Sequence, residues 1–502
     1  MKPVALLCLA LTCAWTQTPP SGSLSRTAAS PGIAFSQANA AGQLPAPAAA
    51  STGTATLTLA EVIASVNRNY PPLLAALQEK QLAEADVLSS LGRFDLVLKA
   101  SGNADELGKL YSDRQFNTQL EQSIATGGIS YFTGYRLSRG TFADYDGKEQ
   151  TNAAGEYRAG IRVPLFRDRA IDSRRADLYK TRLGLKLADL SIDQQRIVIT
   201  QAATRRYWDW LSAGRLFGVA QAILQIAEAR DAYLKEAVDR GALPRIDVTD
   251  NARVILQRQS NLVAARRILE QTGIELSLFY RDLNGDPVIA GADRLPPGFP
   301  DPAVIDNNRL RTDIEMALTR RPEVTRLLAQ RDQVEIDRKL AVNQQSPGVD
   351  FLFSYARQLG DQQTKRGPDE VRSTLNFDLP LHRRAARGRE DAAEARLSQL
   401  DQRVRFQKDQ IGAEVRDAVS AVRAAYERTR VLADEVRVTK EVENAERERY
   451  ELGDSNLFTL NLREIATVDA QVREVNALAD YYRAFALYEL SIAQALTARP
   501  QP

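Results

Sequence analysis

Cysteine and histidine are almost absent from this chain of 502 residues, and their scarcity limits the chemistry that it can perform. The only two cysteines, Cys8 and Cys13, lie close to the N-terminus, and His382 is the single histidine. Thiolate and imidazole metal sites and most catalytic triads need more of these residues. The sequence also lacks phosphate-binding glycine loops, nucleophile elbows and zinc-protease motifs. We therefore expect no enzymatic activity, no cofactor and no metal site.

The chain also lacks an excess of charge and a long apolar segment. Its 66 Lys and Arg residues nearly balance 64 Asp and Glu residues, for a formal net charge of +2. Such a balance gives no reason to expect a nucleic-acid partner. After the N-terminal segment, no run of about 18 apolar residues occurs, so no transmembrane helix is expected. If the protein enters a membrane, it does so with strands.

The N-terminal segment is typical of an exported protein. Lys2 precedes an apolar run of about a dozen residues, which has the proportions of a secretory signal, here assigned to residues 1–17. Cleavage after Ala14 would leave a mature chain without cysteine, whereas Cys13 as a lipid-modified first residue is the alternative. Residues 18–54 are rich in Ala, Pro and Ser with almost no charge, and we expect a disordered lead-in.

Two very long helices dominate the rest of the sequence. Residues 383–452 contain no proline, and apolar residues recur there at steps of three and four between charged residues. This pattern predicts one amphipathic helix on the order of 100 Å long. Residues 168–240 predict a second helix of similar length. Helices of this length bury their apolar stripes against other long helices, in the same chain or in copies of it.

The chain reads as two matching halves, each with a short helix, a proline, a helix, strands, a Pro-Leu pair, a very long helix, a glycine and a last helix. Such a period is too long for a solenoid and indicates an internal duplication. The predicted organisation is a first repeat at 55–285 with strands at about 94–163, an inter-repeat segment at 286–308, and a second repeat at 309–497 with strands at about 348–381.

The strand regions alternate apolar and polar residues. In the second half, Phe351, Phe353 and Tyr355 alternate with polar or small residues. An apolar, aromatic-rich face and a polar face are typical of a barrel wall between lipid and water. A soluble sheet with its apolar face on a core is an equally compatible interpretation of the alternation alone.

Too few strands are predicted to close a barrel within one chain, because barrels need about eight strands or more. Open strand edges are not tolerated in lipid, so several chains must share a barrel if these strands are membranous. We therefore predict a mainly α protein with a β-barrel. In it, the duplicated coiled-coil halves stand beneath a transmembrane barrel that several chains share, so the fold is an obligate oligomer.

The sequence resembles the TolC family of outer-membrane efflux and type I secretion channels over about residues 56–497. The resemblance is carried by LTLAEVIASVNRNYP at the start, by PLFRDRAIDSRRA and PLHRRAARGREDA at the strand-to-helix joins, and by DRGALPRIDV and YELGDSNLFTL at the glycine breaks. The sequence departs from the family in two ways. Its first strand region is long enough for an extra hairpin or a long extracellular loop, around residues 102–117 or 140–155. It also lacks the double glycine that is common after the join.

The resemblance implies a homotrimer in the outer membrane, with four strands from each chain in a twelve-stranded barrel and a periplasmic tunnel below. It also implies an inner-membrane transporter, a periplasmic adaptor protein and outer-membrane lipid as partners. The segment between the halves would belong to a belt around the tunnel.

The glycine breaks are the expected helix turns at the closed end of the tunnel, because glycine takes the positive φ that ends a helix. They are also the expected adaptor-docking tips: Gly241 and Gly453. The family's aperture carboxylate lies six residues past the glycine, at Asp247 in the first half and Thr459 in the second. Asp247 as a simple helix cap is the alternative. The resulting aperture and gate candidates are Asp247, Asp250, Arg245, Thr459 and Glu464.

Charged residues on the polar side of the predicted strands are candidates for the lumen of the barrel. Four arginines would give the lumen a basic character, unless they are ordinary polar-face residues beside carboxylates. The lumen candidates are Arg136, Arg158, Arg162, Asp350, Arg372 and Asp378.

These observations favour an outer-membrane channel-tunnel subunit, which acts as the passive exit duct of a tripartite efflux pump or a type I secretion system. A periplasmic adaptor with coiled-coil hairpins is the alternative. An exported structural coiled-coil protein is a third possibility, although it would not need the strand regions.

Overall fold

The computed structural model describes residues 56–108, 110–142, 150–361 and 369–493. The expected signal peptide, the lead-in and Cys13 lie outside the described residues. The helices are α1 Leu59–Asn69, α2 Pro71–Leu91, α3 Ser173–Asp239, α4 Arg245–Ser277, α5 Leu310–Arg320, α6 Pro322–Asn343, α7 Arg384–Glu451 and α8 Leu457–Ser491. The strands are β1 Val97–Leu107, β2 Tyr111–Ser123, β3 Ser130–Thr141, β4 Glu156–Pro164, β5 Gly348–Gln358 and β6 Asp369–Asp378.

The two long helices are nearly equal in length. Helix α3 has 67 residues and α7 has 68, so each is about 100 Å long. Each is preceded by a short helix, a second helix that begins with proline, and strands, and each is followed by a helix of about half its length. The duplicated, mainly helical fold predicted from the sequence is therefore present.

Side chains and prolines determine where several helices begin. Thr58, Asp172 and Asn456 each precede a helix, and the side-chain oxygen of each accepts a hydrogen bond from a backbone N–H in the first turn. Such caps satisfy one of the free donors of a helix N-terminus. Pro71 and Pro322 occupy the first positions of α2 and α6, where the missing N–H costs nothing.

The strand-to-helix joins keep a left-handed backbone without glycine. Asp168 has a φ of 66° before α3, and Arg383 has a φ of 47° directly before α7. This conformation costs an L-residue about 1–2 kcal/mol. At Asp168 the backbone N–H donates to Asn343 Oδ1 at 2.8 Å, and the backbone oxygen accepts from Arg175 Nη2 at 2.5 Å. These hydrogen bonds stabilise the first join, which lacks the double glycine that is common in the family.

All six strands form one antiparallel sheet in the order β1-β2-β3-β4-β5-β6. The first half contributes four strands and the second half contributes two. The four strands per chain implied by the family resemblance are therefore an underestimate for the described residues. The additional pair is the β1–β2 hairpin, which pairs with β3 over twelve residues of β2.

The register sorts the side chains into two faces. The first face carries Arg136, Arg158 and Arg372, because β3, β4 and β6 present their even-numbered residues to it. The other face carries aromatic and aliphatic residues: Phe116, Leu120, Tyr131, Tyr135, Tyr157, Ile161, Phe351, Phe353, Tyr355, Val371, Leu375 and Phe377. A sheet with one polar and one apolar face therefore stands at the end of the helices from which α3 and α7 begin.

The main core lies midway along the long helices. Trp210 and Leu211 of α3 and Ile411 and Val415 of α7 are buried there with residues from α1, α5 and α8. The segment between the repeats covers this core, because Phe299 stacks on Trp208 with ring centroids 6.0 Å apart. These short elements form a belt around the long helices.

Tyrosines fasten the inter-repeat segment to the helices. The Tyr482 hydroxyl donates to the Pro300 oxygen at 2.7 Å, and the Tyr481 hydroxyl donates to the Ala303 oxygen at 2.8 Å. The Tyr482 ring also stacks on Trp208 at 4.2 Å. Burial raises the pKa of Tyr482 to about 12, so its hydroxyl keeps its proton and remains a donor.

Among the described residues, no helix is both long enough and apolar enough to cross a membrane.

A half-buried glutamate in the belt makes the stability of the fold depend on pH. Burial raises the pKa of Glu489 above its usual value, so folding disfavours its charged form at neutral pH. We expect Glu489→Gln to increase the free energy of unfolding at pH 8. The gain should shrink as pH falls through the raised pKa and vanish below the unfolded value, near pH 4, where both states hold the proton. Denaturant unfolding of the detergent-solubilised protein across this range measures the gain.

The matched control is Glu79→Gln on α2, because Glu79 is exposed and its replacement should change stability little at any pH. A loss of stability in Glu489→Gln at pH 8 would show that the Glu489 carboxylate makes a favourable charged contact in the assembled protein.

Candidate functional site

The two helix tips opposite the sheet turn in the same way. After α3, the Gly241 N–H donates to the Val238 oxygen at 2.9 Å and the Ala242 N–H donates to the Ala237 oxygen at 2.8 Å. After α7, Gly453 and Asp454 repeat both bonds. Both glycines have positive φ, 76° and 83°, as this helix-ending motif requires. Both hairpin tips thus depend on a glycine, as the sequence indicated.

A buried ion triad joins three helices about three turns above the tips. Glu464 of α8 is fully buried, and its Oε2 pairs with Arg258 Nη2 of α4 at 2.7 Å. Its other oxygen pairs with Arg230 of α3. Both arginines are also nearly buried. The triad therefore places one negative and two positive charges inside the helix packing.

Neutral acceptors share the second positive charge of the triad. Arg230 Nη1 donates to Asn461 Oδ1 at 2.9 Å, and Arg258 Nη1 donates to the Ile223 backbone oxygen at 2.7 Å. Removing one member of such a buried group leaves an uncompensated charge, which costs about 3–5 kcal/mol. The triad therefore holds the first-repeat hairpin, α3 and α4, against α8 of the second repeat.

A cavity of about 330 Å³ lies beside the triad between α4 and α8. Its lining includes charged residues of α4 and apolar residues near the start of α8: Asp250, Arg253, Arg258, Phe458, Leu462 and Ile465. The side chains of Phe458, Leu462 and Ile465 are each more than half exposed in the single chain. This end of the helices therefore exposes an apolar surface next to buried charges.

The predicted aperture residues of the first repeat lie in the first turns of α4. Pro244 occupies the cap position, so the alternative assignment of Asp247 as the helix cap is wrong. Asp247 instead lies in the first turn, where the helix dipole favours a negative charge. Asp250 accepts a hydrogen bond from Arg253 Nε at 2.9 Å. Arg245 begins the helix and is exposed.

In the second repeat, the two predicted aperture residues lie in different environments. Thr459 donates both its backbone N–H and its hydroxyl to Asn456 Oδ1, at 2.8 and 3.0 Å, so it completes the cap of α8. Glu464 was expected near the aperture, but its carboxylate is bound inside the chain by Arg230 and Arg258. It therefore acts as a link between helices and does not line an opening.

Tyr450, three residues before Gly453, lies between the two tips. Its hydroxyl is buried, and burial raises the pKa of the phenol, an effect opposed by the charge of Arg230 and reinforced by that of Asp247. The phenol is therefore neutral and able to donate. This places Asp247 of the first repeat within electrostatic range of the second-repeat tip.

The lumen candidates share one face of the sheet, but that face is not basic. Arg136 pairs with Glu156 at 3.1 Å, Arg158 donates to Asn117 at 2.9 Å, and Arg372 pairs with Glu370 at 2.6 Å. Basic residues on this face of the strands are Lys99, Arg136, Arg158, Arg162 and Arg372. Carboxylates there are Asp105, Asp113, Glu121, Glu156, Asp350, Glu370 and Asp378. Of the two interpretations, the described strands therefore favour ordinary polar-face arginines beside carboxylates over a basic lumen.

Sequence reasoning missed Arg230, Arg258 and Asn461. Each lies within a charged amphipathic helix, where a buried arginine and a solvated one look alike. Within the described part of the chain, no group of three or more His, Cys, Asp and Glu residues could hold a metal ion.

A family model described as outer membrane efflux protein matches residues 314–491. The match begins within α5 and ends with the last residue of α8. No curated protein matches the chain by sequence.

Solved outer-membrane channels share the architecture over most of their length. The Neisseria gonorrhoeae MtrE outer membrane channel in its open state is 15% identical with a TM-score of 0.63, and the alignment covers 88% of this chain and 91% of MtrE. The Campylobacter jejuni CmeC outer membrane channel is 13% identical with a TM-score of 0.61, with coverages of 93% and 94%. The Vibrio cholerae outer membrane protein VceC is 16% identical with a TM-score of 0.60, with coverages of 87% and 96%.

At these identities, the solved structures show the fold alone, and the family model adds a sequence match to outer membrane efflux proteins over residues 314–491. The chain therefore has the fold of outer-membrane efflux channels, and its residues 314–491 match the outer membrane efflux protein family. Together these similarities support an outer-membrane efflux channel subunit of the TolC type and not a periplasmic adaptor.

Proposed function

We propose that three copies of this chain form a passive exit duct from the periplasm through the outer membrane. The sheets of the three copies make one barrel in the membrane, and their long helices make the periplasmic tunnel. The two-faced sheet is the observation that carries this proposal. Its apolar face suits lipid, its polar face suits a water-filled lumen, and one chain is too short to close the wall.

Apolar side chains on the outside of the helices also support an oligomer. On α4, Leu256, Val263 and Ile268 are each at least half exposed in the single chain. On α7, Phe406 and Val431 are more than half exposed. Helices that expose apolar residues along their length need neighbours to cover them, and copies of the same chain provide helices of matching length.

The duct works with an energised inner-membrane transporter and a periplasmic adaptor protein, which supply energy and direction. The glycine tips at Gly241 and Gly453 are the docking points for the adaptor. The chain itself performs no reaction, because the wall of a water-filled duct needs only to exclude lipid and to open and close. This arrangement fits a tripartite efflux pump or a type I secretion system.

The gate is formed by the tips. Asp247 and Asp250 from three copies ring the aperture, and Arg245 pairs across the contact between copies. Rings of carboxylates bind and select cations. The Arg230–Glu464–Arg258 triad keeps the two hairpins of each copy together and so resists their separation.

The direct test expresses the protein with its own N-terminal segment and follows it to purified outer membranes. We expect detergent extraction to give a particle of three chains by native mass spectrometry. The particle should show discrete conductance steps in a planar lipid bilayer. A water-soluble protein, or a detergent particle without conductance, contradicts the proposed duct.

Replacing the ring carboxylates should weaken the block of the channel by multivalent cations. In Asp247→Asn with Asp250→Asn, the trimer loses six negative charges at the aperture while the side chains keep their size. We expect the concentration of a trivalent cation that halves the conductance to rise about tenfold, which corresponds to about 1.4 kcal/mol of binding free energy. Single-channel recordings with the cation on the tunnel side measure this concentration.

The matched control removes the same number of charges from the tips with Asp239→Asn and Asp454→Asn, since both residues are exposed beside the glycine turns. Unchanged block in the first variant, or equal weakening in the control, places Asp247 and Asp250 outside the aperture.

Breaking the buried triad should loosen the closed tip. Glu464→Gln removes the only negative charge of the triad and leaves Arg230 and Arg258 buried together. We expect a local loss of about 3–5 kcal/mol, seen as faster hydrogen exchange in α8 near the tip and as more frequent opening in bilayers. Glu448→Gln is the control, because Glu448 is exposed on α7. Exchange rates equal to those of the unmodified protein would mean that the triad does not hold the hairpins.

A further inference from the structure

We propose that all six strands of each chain, and not four, form part of the wall of the shared barrel. Strand β1 of one copy then pairs with β6 of the next copy. The trimer therefore closes a barrel of eighteen strands. This inference rests on the proposed trimeric duct. It concerns the surface by which one copy recognises a second copy of the same chain.

The β1–β2 hairpin has the same two faces as the rest of the sheet. Leu98 and Ala100 of β1, with Phe116 and Leu120 of β2, lie on the apolar face. The polar face receives Lys99, Ser101, Asn103, Asn117 and Gln119. A hairpin folded into the lumen as a plug would have no reason to keep its apolar residues on the lipid side. The β1–β2 hairpin is therefore suited to form part of the barrel wall.

The two edges of the sheet are suited to each other. Strands β1 and β6 have 11 and 10 residues, and most residues of both strands are exposed in the single chain. Six alternating strands leave the two edges antiparallel, so a rotated copy continues the same up-and-down pattern. An unpaired edge in lipid leaves backbone N–H and C=O groups without partners, which costs several kcal/mol for each group.

Charge selects one register between the edges. If Lys99 lies opposite Asp378 of the next copy, Asp105 lies opposite Arg372, and both pairs carry opposite charges on the polar face. A shift by two residues in one direction places Asp105 opposite Glu370 instead. Like charges directly opposite are destabilising, and opposite charges contribute about 0.2–1 kcal/mol. The pairing of Lys99 with Asp378 is therefore favoured.

This register also closes a barrel with an ordinary strand tilt. Successive partners across the sheet are Val97, Glu121, Phe132, Gly160, Ser354 and Arg372. Arg372 then lies opposite Asp105 of the next copy. Following the paired residues once across a chain therefore shifts the position on β1 from Val97 to Asp105, a shift of eight residues. At about 3.3 Å per residue and about 4.8 Å between strands, this shift gives a tilt of about 42°. Closed barrels have tilts of about 35–45°.

The consequence is a wider exit than four strands per chain would give. The diameter of a barrel grows roughly in proportion to its strand number, so eighteen strands make it about one and a half times as wide as twelve.

Cysteine cross-linking tests the shared edge. In the double variant Ser101→Cys with Asn376→Cys, the two residues lie opposite each other on the polar face of adjacent copies. Native mass spectrometry in detergent first establishes three chains per particle. After oxidation in outer membranes, we expect most chains to migrate as covalent trimers on a denaturing gel without reductant. Either single variant should give no trimer band.

A second pair tests the four-strand alternative. Ser130→Cys on β3 with Asn376→Cys should not cross-link, because β2 covers that edge of β3. A trimeric particle that cross-links through Ser130 and Asn376, or through neither pair, overturns the six-strand wall and leaves the duct standing. A particle that is not a trimer overturns the proposed duct as well.

Discussion

The hydrogen-bonding requirement of an open strand edge is the constraint on which the rest of this structure depends. In lipid, every backbone N–H and C=O group must have a partner, so a sheet that faces lipid has to close on itself. In the residues that the structure describes, one chain has six strands in a sheet that is open at β1 and β6. The long helices below are equally incomplete, because their apolar residues are covered only in part. The open strand edges and the exposed apolar residues both support the proposed ring of identical chains.

Much of the fold could be predicted from sequence because its signals are local and repeated. Apolar residues at steps of three and four extend over the whole of α7, and no proline interrupts them. The glycine after each long helix is required by the positive φ of the turn, so the tips could be placed as well. The strand-to-helix joins were less predictable, because Asp168 and Arg383 take a backbone conformation that is usually left to glycine.

The β1–β2 hairpin was expected only as one of two alternatives, and the ion triad was missed, in both cases for physical reasons. After Leu98, the apolar face of β1 continues with the small residues Ala100, Gly102 and Ala104. The alternation is therefore weak in hydrophobicity even though the strand geometry is regular. Arg230 and Arg258 occupy helices in which most arginines are solvated. Their burial depends on Glu464, more than two hundred residues away in sequence, and no local pattern encodes that contact.

The triad also breaks the symmetry between the two repeats. Counted from the glycine tips, the position that corresponds to Glu464 is Ala252, and those that correspond to Arg230 and Arg258 are Val442 and Ala470. The two repeats therefore differ at all three charged positions of the cluster. Around a three-chain tunnel, the contacts between neighbouring hairpins are then of two kinds. In the proposed trimer, contacts within a chain hold the buried charge cluster, whereas contacts between chains would have Ala252, Val442 and Ala470 at the corresponding positions. Such a ring would open at the three contacts between chains, and each chain would move as one rigid body.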